Sequence, residues 1–308
     1  MLKTLRIGSR GSKLALWQAH WVAGLLTERF PGMGIAIETI KTTGDRIQDV
    51  PLAKIGDKGL FTKELDRALL DGRVDLVVHS LKDVPTAPVD GIVLAAIPER
   101  EDPRDAFIGK DGQRFGDLPA GAYVATGSLR RRAQVLALRP DIQLADLRGN
   151  IDTRLRTLKE SKNLHGIILA LAGVKRLGLA HEVTEVFEPP AWLSAPGQGA
   201  LGIATRPGEV QDLAAHLDHA VTRCAVAAER AVLARLEGGC TVPMGAYALI
   251  ENGALTVDAF VADLSGSMAV RDHRCGSPDR AKQLGTETGD FLLAHGGAEI
   301  LRDLRTEE

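Results

Sequence analysis

Along this chain, short β-branched runs alternate with stretches of helical periodicity, the pattern of an α/β fold built mainly on parallel strands. Residues 5–8 read as a strand and 14–26 as the helix that follows. Phe61, Leu65, Ala68 and Leu69 recur at helical spacing within 60–70. Strands are expected at 74–78, 123–126 and 142–147, with helices at 128–138 and 151–158. The continuous apolar run 167–171 suits a buried central strand. Two segments read as connections, the charged stretch 99–105 with Pro103 and the Pro/Gly-rich stretch 188–197, and they bracket a block of domain size. Beyond about residue 219 the texture changes to a long Ala/Leu/Arg helix, 220–236, stopped at Gly238-Gly239. Alternating strands over 247–270 and a last helix over 281–295 complete a smaller α+β domain.

The 308 residues hold 44% hydrophobic and 25% charged side chains, an ordinary soluble balance. At 4% aromatic there is little with which to stack single-stranded bases, and a net charge of -2 disfavours general polyanion binding. The cysteines are Cys224, Cys240 and Cys275, an odd set without a CxxC pair, which excludes a disulfide framework and the usual zinc spacings. The N-terminus shows no secretory h-region, and the longest near-apolar run, 166–174, is far too short for a membrane span. A reducing cytosolic compartment is the expectation.

The small net charge hides an asymmetry. Between Thr126 and Arg176 there are 11 bases against 4 acids, an excess of seven, which leaves the rest of the chain at about -9. Several of these bases follow strands, where α/β folds place their ligands. Thr126-Gly127-Ser128 leads into a helix, with Arg130 and Arg131 in its first turn, where positive charge opposes the helix dipole unless an anion is present. Arg148-Gly149-Asn150 repeats the arrangement, with Arg154 one turn on. Arg10 and Ser12, Lys54 and Lys58, and Lys82 with Asp83 form a second set, suggesting two lobes across a basic cleft.

Gly197-Gln198-Gly199-Ala200-Leu201-Gly202 matches GxGxxG but precedes a strand instead of a helix, so it reads as a return connection. Cys224 reads as a buried small hydrophobe. Cys240 sits on a permissive loop past a helix end, where a thiol is approachable, although a structural cysteine is the simpler reading. Asp83 either caps the turn before Pro85 or, as a lone carboxylate among cations, stays ionised and stabilises a cation or moves a proton.

Taken together, Arg6-Ile7-Gly8-Ser9-Arg10, Ala15-Leu16-Trp17-Gln18, Lys58-Gly59-Leu60-Phe61, His79-Ser80-Leu81-Lys82-Asp83-Val84-Pro85, Arg100-Glu101-Asp102-Pro103-Arg104-Asp105, Ser128-Leu129-Arg130-Arg131, Leu147-Arg148-Gly149-Asn150 and Leu236-Glu237-Gly238-Gly239-Cys240 resemble the porphobilinogen deaminase family. The resemblance implies two doubly wound lobes of the periplasmic-binding-protein type, 1–98 with 199–218 and 103–194, plus a C-terminal α+β domain, 219–308. It implies an enzyme that joins four porphobilinogen units head to tail, loses ammonia each time and releases hydroxymethylbilane. It implies a dipyrromethane cofactor on a Cys240 thioether and a catalytic Asp83 that assists deamination. Cofactor contacts fall on Lys82, Thr126, Ser128, Arg130, Arg131, Arg148, Gly149 and Arg154. Substrate contacts fall on Arg10, Ser12, Gln18, Lys54, Arg148, Arg154 and Arg176. Gly127 departs from the serine of many members, and Arg132 has no implied role.

Acetate and propionate groups on every pyrrole fit a basic cleft with one isolated carboxylate. The partner implied is the small-molecule substrate, with no nucleic acid and no membrane, and the chain is expected to be a cytoplasmic monomer. A solute receptor with the same lobes is the alternative, and it would need neither Asp83 nor Cys240.

Overall fold

The computed structural model describes residues 4–43, 62–237 and 242–306, which fall into two compact units. One gathers segments from the first 101 residues together with Gly199–Arg223. The other holds Asp102–Gln198 with the C-terminal part of the chain from Cys224. Lys54, Lys58 and Cys240 lie outside the described residues.

The chain begins with β1 (Thr4–Ser9), α1 (Lys13–Arg29), β2 (Gly34–Thr39), α2 (Lys63–Leu70), β3 (Leu76–Ser80) and β4 (Val93–Ala96). The second unit then runs through β5 (Asp105–Gly109), β6 (Tyr123–Ala125), α3 (Leu129–Leu138), β7 (Gln143–Ala145), α4 (Ile151–Glu160), β8 (Leu164–Ala170), α5 (Leu171–Arg176) and β9 (Glu185–Phe187). The chain returns to the first unit with β10 (Leu201–Thr205) and α6 (Glu209–Ala215). It closes with α7 (Ala220–Arg235), β11 (Met244–Glu251), β12 (Ala254–Ala262), β13 (Ala269–Gly276), α8 (Ala281–Leu292) and α9 (Ala298–Thr306).

The first two sheets share one plan. In β2-β1-β3-β10-β4 the first three strands are parallel and β10 is antiparallel to both neighbours. In β7-β6-β8-β5-β9 the parallel trio is followed by antiparallel β5. Each is a doubly wound α/β layer in which one strand arrives after a crossover and runs backwards. That is the doubly wound arrangement expected for both lobes. The GxGxxG segment leads directly into β10, as its return-connection reading requires.

Leu5, Ile7, Leu76 and Ile203 of the first sheet are fully buried and pack on Ala19, Val22 and Leu26 of α1, the amphipathic packing that fixes this layer. The separate smaller C-terminal domain is an antiparallel β11-β12-β13 sheet covered by α7, α8 and α9, with Ala228, Val232, Val257 and Leu284 in its core. Among the described residues, no helix is long and apolar enough to cross a membrane.

Several boundaries differ from the sequence expectation. Strand 142–147 contracts to β7, while 167–171 extends backwards to β8. The helix expected over 281–295 ends at Leu292, where a wide turn holding Gly296 at φ 111° leads into α9. Asp105, placed in a connection, is instead the first residue of β5 and has no exposure.

Candidate functional site

Strands β6 and β7 are parallel neighbours, so they release the chain side by side at 126–128 and 146–150. A Cβ on Gly127 would stand 2.9 Å from the Leu147 carbonyl oxygen, so the close approach of the two loops accounts for glycine at this position. Ser128 caps α3 by accepting from the Arg131 amide, and Asn150 caps α4 by accepting from the Thr153 amide at 3.0 Å. Thr126 is fully buried, its Oγ1 accepting from the Ser128 amide at 3.3 Å. The strand ends thus supply two helix N-termini, each favourable to an anion.

Around them stand three guanidinium groups. Arg148 carries a buried Nη2 that has no hydrogen-bond partner. Arg154 donates through Nε to the Gly149 carbonyl at 2.8 Å, and Gly149 adopts φ 96°, a conformation that favours glycine. Burial, with Arg131 and Arg148 nearby, pushes the Arg154 pKa down to about 10. Among the described residues neither Arg148 nor Arg154 pairs with a carboxylate. A desolvated, unbalanced cation is unfavourable by itself and is stabilised by any carboxylate that enters.

Much of the remaining basic excess is neutralised locally. Arg132 pairs with Asp146, Arg139 with Asp141, and Lys159 with Glu182. Arg130 and Arg131, both 5% exposed, sit on Asp105, at 2.7 Å each from its two oxygens. Arg130 Nη1 also donates to the Leu193 carbonyl, and Arg131 Nη1 to that of Ile168. Burial alone would raise the Asp105 pKa, but the two guanidiniums outweigh it and hold the group far below the usual carboxylate range. The anion that two cations in the first helical turn call for is thus supplied by the protein itself, since the buried Asp105 carboxylate anchors both. Arg131 still lies in the electrostatic reach of Arg154. Arg176 ends α5 and is 9% exposed.

The first unit carries the other set. β3 ends at Ser80, and the single helical turn Leu81–Asp83 follows, presenting Lys82 and Asp83 half-buried at the strand's C-terminal end. Ser12 caps α1 by accepting from the Ala15 amide at 3.3 Å, with half-buried Arg10 two residues earlier. Gln18 is 3% exposed and donates to Ser80 Oγ at 3.0 Å, so its amide braces the strand end.

Sequence reasoning named His79 only within a motif, yet it is a buried titratable group, 4.0 Å from Asp66. Burial, assisted by Arg10, pushes its pKa down to about 4. A histidine depressed on folding is neutral in the folded chain, so its contribution is complete above the unfolded pKa near 6.5. That contribution falls as pH drops towards 4, by on the order of 3 kcal/mol in total. Burial pushes the Asp66 carboxyl up, which acts in the opposite direction. We expect His79→Gln to flatten the loss of melting temperature between pH 7 and 4; an unchanged slope would place the acid sensitivity elsewhere.

Fold and site together define a two-lobed α/β protein whose second lobe sets Arg148 and Arg154 beside two helix N-termini and whose first presents one carboxylate, Asp83, at a strand end. Comparison with known proteins narrows this further. Residues 5–214 match the family model "Porphobilinogen deaminase, dipyromethane cofactor binding domain", and 223–294 match that family's C-terminal domain. Over 308 residues the chain is 48% identical to the porphobilinogen deaminase of Geobacter metallireducens, covering 99% of this chain and 96% of that one. It is 49% identical to that of Trichlorobacter lovleyi, at 99% and 98% coverage. It is 48% identical over 305 residues to that of Desulfitobacterium hafniense, at 98% of both chains. The chain belongs to the porphobilinogen deaminase family.

Proposed function

We propose that this chain carries out the family's reaction with Asp83 as its catalytic carboxylate, Cys240 as the anchor of a dipyrromethane cofactor, and Arg148 and Arg154 as principal carboxylate ligands. The reaction joins four porphobilinogen units head to tail, loses one ammonia per unit and releases the linear tetrapyrrole hydroxymethylbilane. The observation that carries the reading is the buried, partnerless Arg148 Nη2 beside the half-buried Arg154. Such a pair suits ligands with several carboxylates, and every pyrrole in this chemistry bears an acetate and a propionate. The residues present therefore fit the cofactor.

When bound, the cofactor supplies the free pyrrole α-carbon from which the chain grows. Arg148 and Arg154 bind its carboxylates, Ser128 and Asn150 order the helix N-termini beside them, and Gly149 holds Arg154 in place. Lys82, Thr126, Ser128, Arg131 and Gly149 are the further cofactor positions, and Arg10, Ser12, Gln18, Lys54 and Arg176 the substrate positions. Arg130 enters this proposal through its ion pair with Asp105.

At Asp83, the carbon–nitrogen bond of the substrate's protonated aminomethyl group breaks and the nitrogen leaves with the bonding pair as neutral ammonia. The pyrrole nitrogen lone pair fills the vacated orbital, and the Asp83 carboxylate stabilises the resulting cation. Attack by a neighbouring pyrrole α-carbon forms the new carbon–carbon bond and releases one proton, which an ionised carboxylate can accept.

The test is stoichiometry. Purified protein given porphobilinogen should release four ammonia molecules per linear tetrapyrrole formed. Binding of porphobilinogen without ammonia release would favour a receptor and overturn the assignment.

A further inference from the structure

The Asp105 carboxylate has more partners than an ion pair needs. Its Oδ2 accepts from Arg130 Nη1 at 2.7 Å and Trp192 Nε1 at 2.8 Å, and its Oδ1 from Arg131 Nη2 at 2.7 Å and Gln198 Nε2 at 2.8 Å. Arg131 Nε adds a fifth donor at 3.2 Å. These occupy the acceptor sites of a carboxylate about fully. They come from separate parts of the second unit: α3 contributes the arginines, and the segment leading to the return crossover contributes Trp192 and Gln198.

That segment is tied down at further points. Gln198 Nε2 also donates to the Pro103 carbonyl at 2.7 Å. Buried Gln134 of α3 donates to the Leu193 carbonyl and accepts from the Leu193 amide at 2.8 Å. Glu229 of α7, with no exposure, accepts from the amides of Gly197 and Ala248. Asp105 is thus the charged node between the crossover segment and the first turn of α3, whose Arg131 belongs to the cluster with Arg148 and Arg154.

We propose that Asp105 is a positioning residue for carboxylate binding: by gripping the inner edge of Arg131 and the Gln198 amide, it fixes the guanidinium cluster relative to the crossover segment. The inference rests on the carboxylate-binding reading of that cluster. A burden falls on geometry because electrostatics alone argues the other way. Asp105 is an anion close to cations that must attract anions, so deleting its charge strengthens the attraction of a carboxylate unless the arginines lose their placement.

That opposition of sign supplies the test. The probe is a pyrrole bearing acetate and propionate but lacking the aminomethyl group, titrated calorimetrically into the full chain, with the folded fraction fixed by circular dichroism. Asp105→Asn should bind about tenfold more weakly per folded molecule, despite the added positive charge. Equal or tighter binding by the folded variant would overturn the proposal. Should Asp105→Asn fail to fold, Gln198→Met decides, since it keeps the carboxylate and both arginines. Binding weakened about threefold supports the coupling, and unchanged affinity refutes it. If the wild-type chain itself ignores the probe, the carboxylate-binding reading has failed instead.

Discussion

Replacing Arg148 by leucine lowers kcat/KM for porphobilinogen by about a hundredfold or more while leaving the melting temperature unchanged or raised. The two halves of this expectation have one origin. Arg148 Nη2 is buried with no partner, a condition that costs about 1–3 kcal/mol. Leucine removes that cost, so stability does not suffer. When a carboxylate arrives, the same nitrogen gains a charge-assisted bond worth about 1.5–3 kcal/mol, and a two-pronged contact about doubles it. Steady-state kinetics and a thermal melt on one preparation measure both halves. A large loss of stability with unaltered kinetics would return Arg148 to a structural role.

Asp83→Asn has the second large effect, a fall in kcat on the order of a thousandfold with the fold preserved. Asparagine keeps the shape of the side chain, which is half-buried in the turn after β3, and removes only its charge and basicity. Substrate binding should change far less than turnover, because the carboxylate acts on the cation that forms as ammonia departs. Single-turnover measurement of ammonia release separates the two. Near-normal release would move the chemistry away from Asp83.

The two arginine-bearing strand ends proposed to bind anions were legible as strand–turn–helix units in the sequence because their signals are local. A strand, a glycine or hydroxyl turn and an arginine-bearing helix start all fall within a few residues, as at 123–131 and 143–154. Asp105 was hidden by the same logic. It stands in a charged, proline-containing run that reads as a connection, and its donors lie 25, 26, 87 and 93 residues away. No window around Asp105 contains them. Arg130 and Arg131 were correspondingly read as charges calling for a bound anion, since the protein's own carboxylate that anchors them is remote in sequence. The short strands β2, β4 and β9 went unread for a different reason. They are flanking strands with few fully buried positions, so their hydrophobic pattern is shallow.

The local excess of seven positive charges also changes meaning once the partners are known. Arg132, Arg139 and Lys159 are balanced by nearby carboxylates, and the Arg130–Arg131 pair shares one. Of the bases left, Arg156 and Lys162 are exposed to solvent, whereas Arg148 and Arg154 are partly withdrawn from water and, among the described residues, pair with no carboxylate. In the proposed function these two half-buried charges, not the basic surface as a whole, are what attract carboxylates to the second unit.

The most direct test of the whole account is the intact mass of the purified protein before and after brief exposure to porphobilinogen. The expected result is an adduct of two pyrrole units on the wild-type chain, then a ladder of single-pyrrole additions, with neither in Cys240→Ser. A freshly purified, active protein of unmodified mass, or a ladder that survives Cys240→Ser, would contradict it.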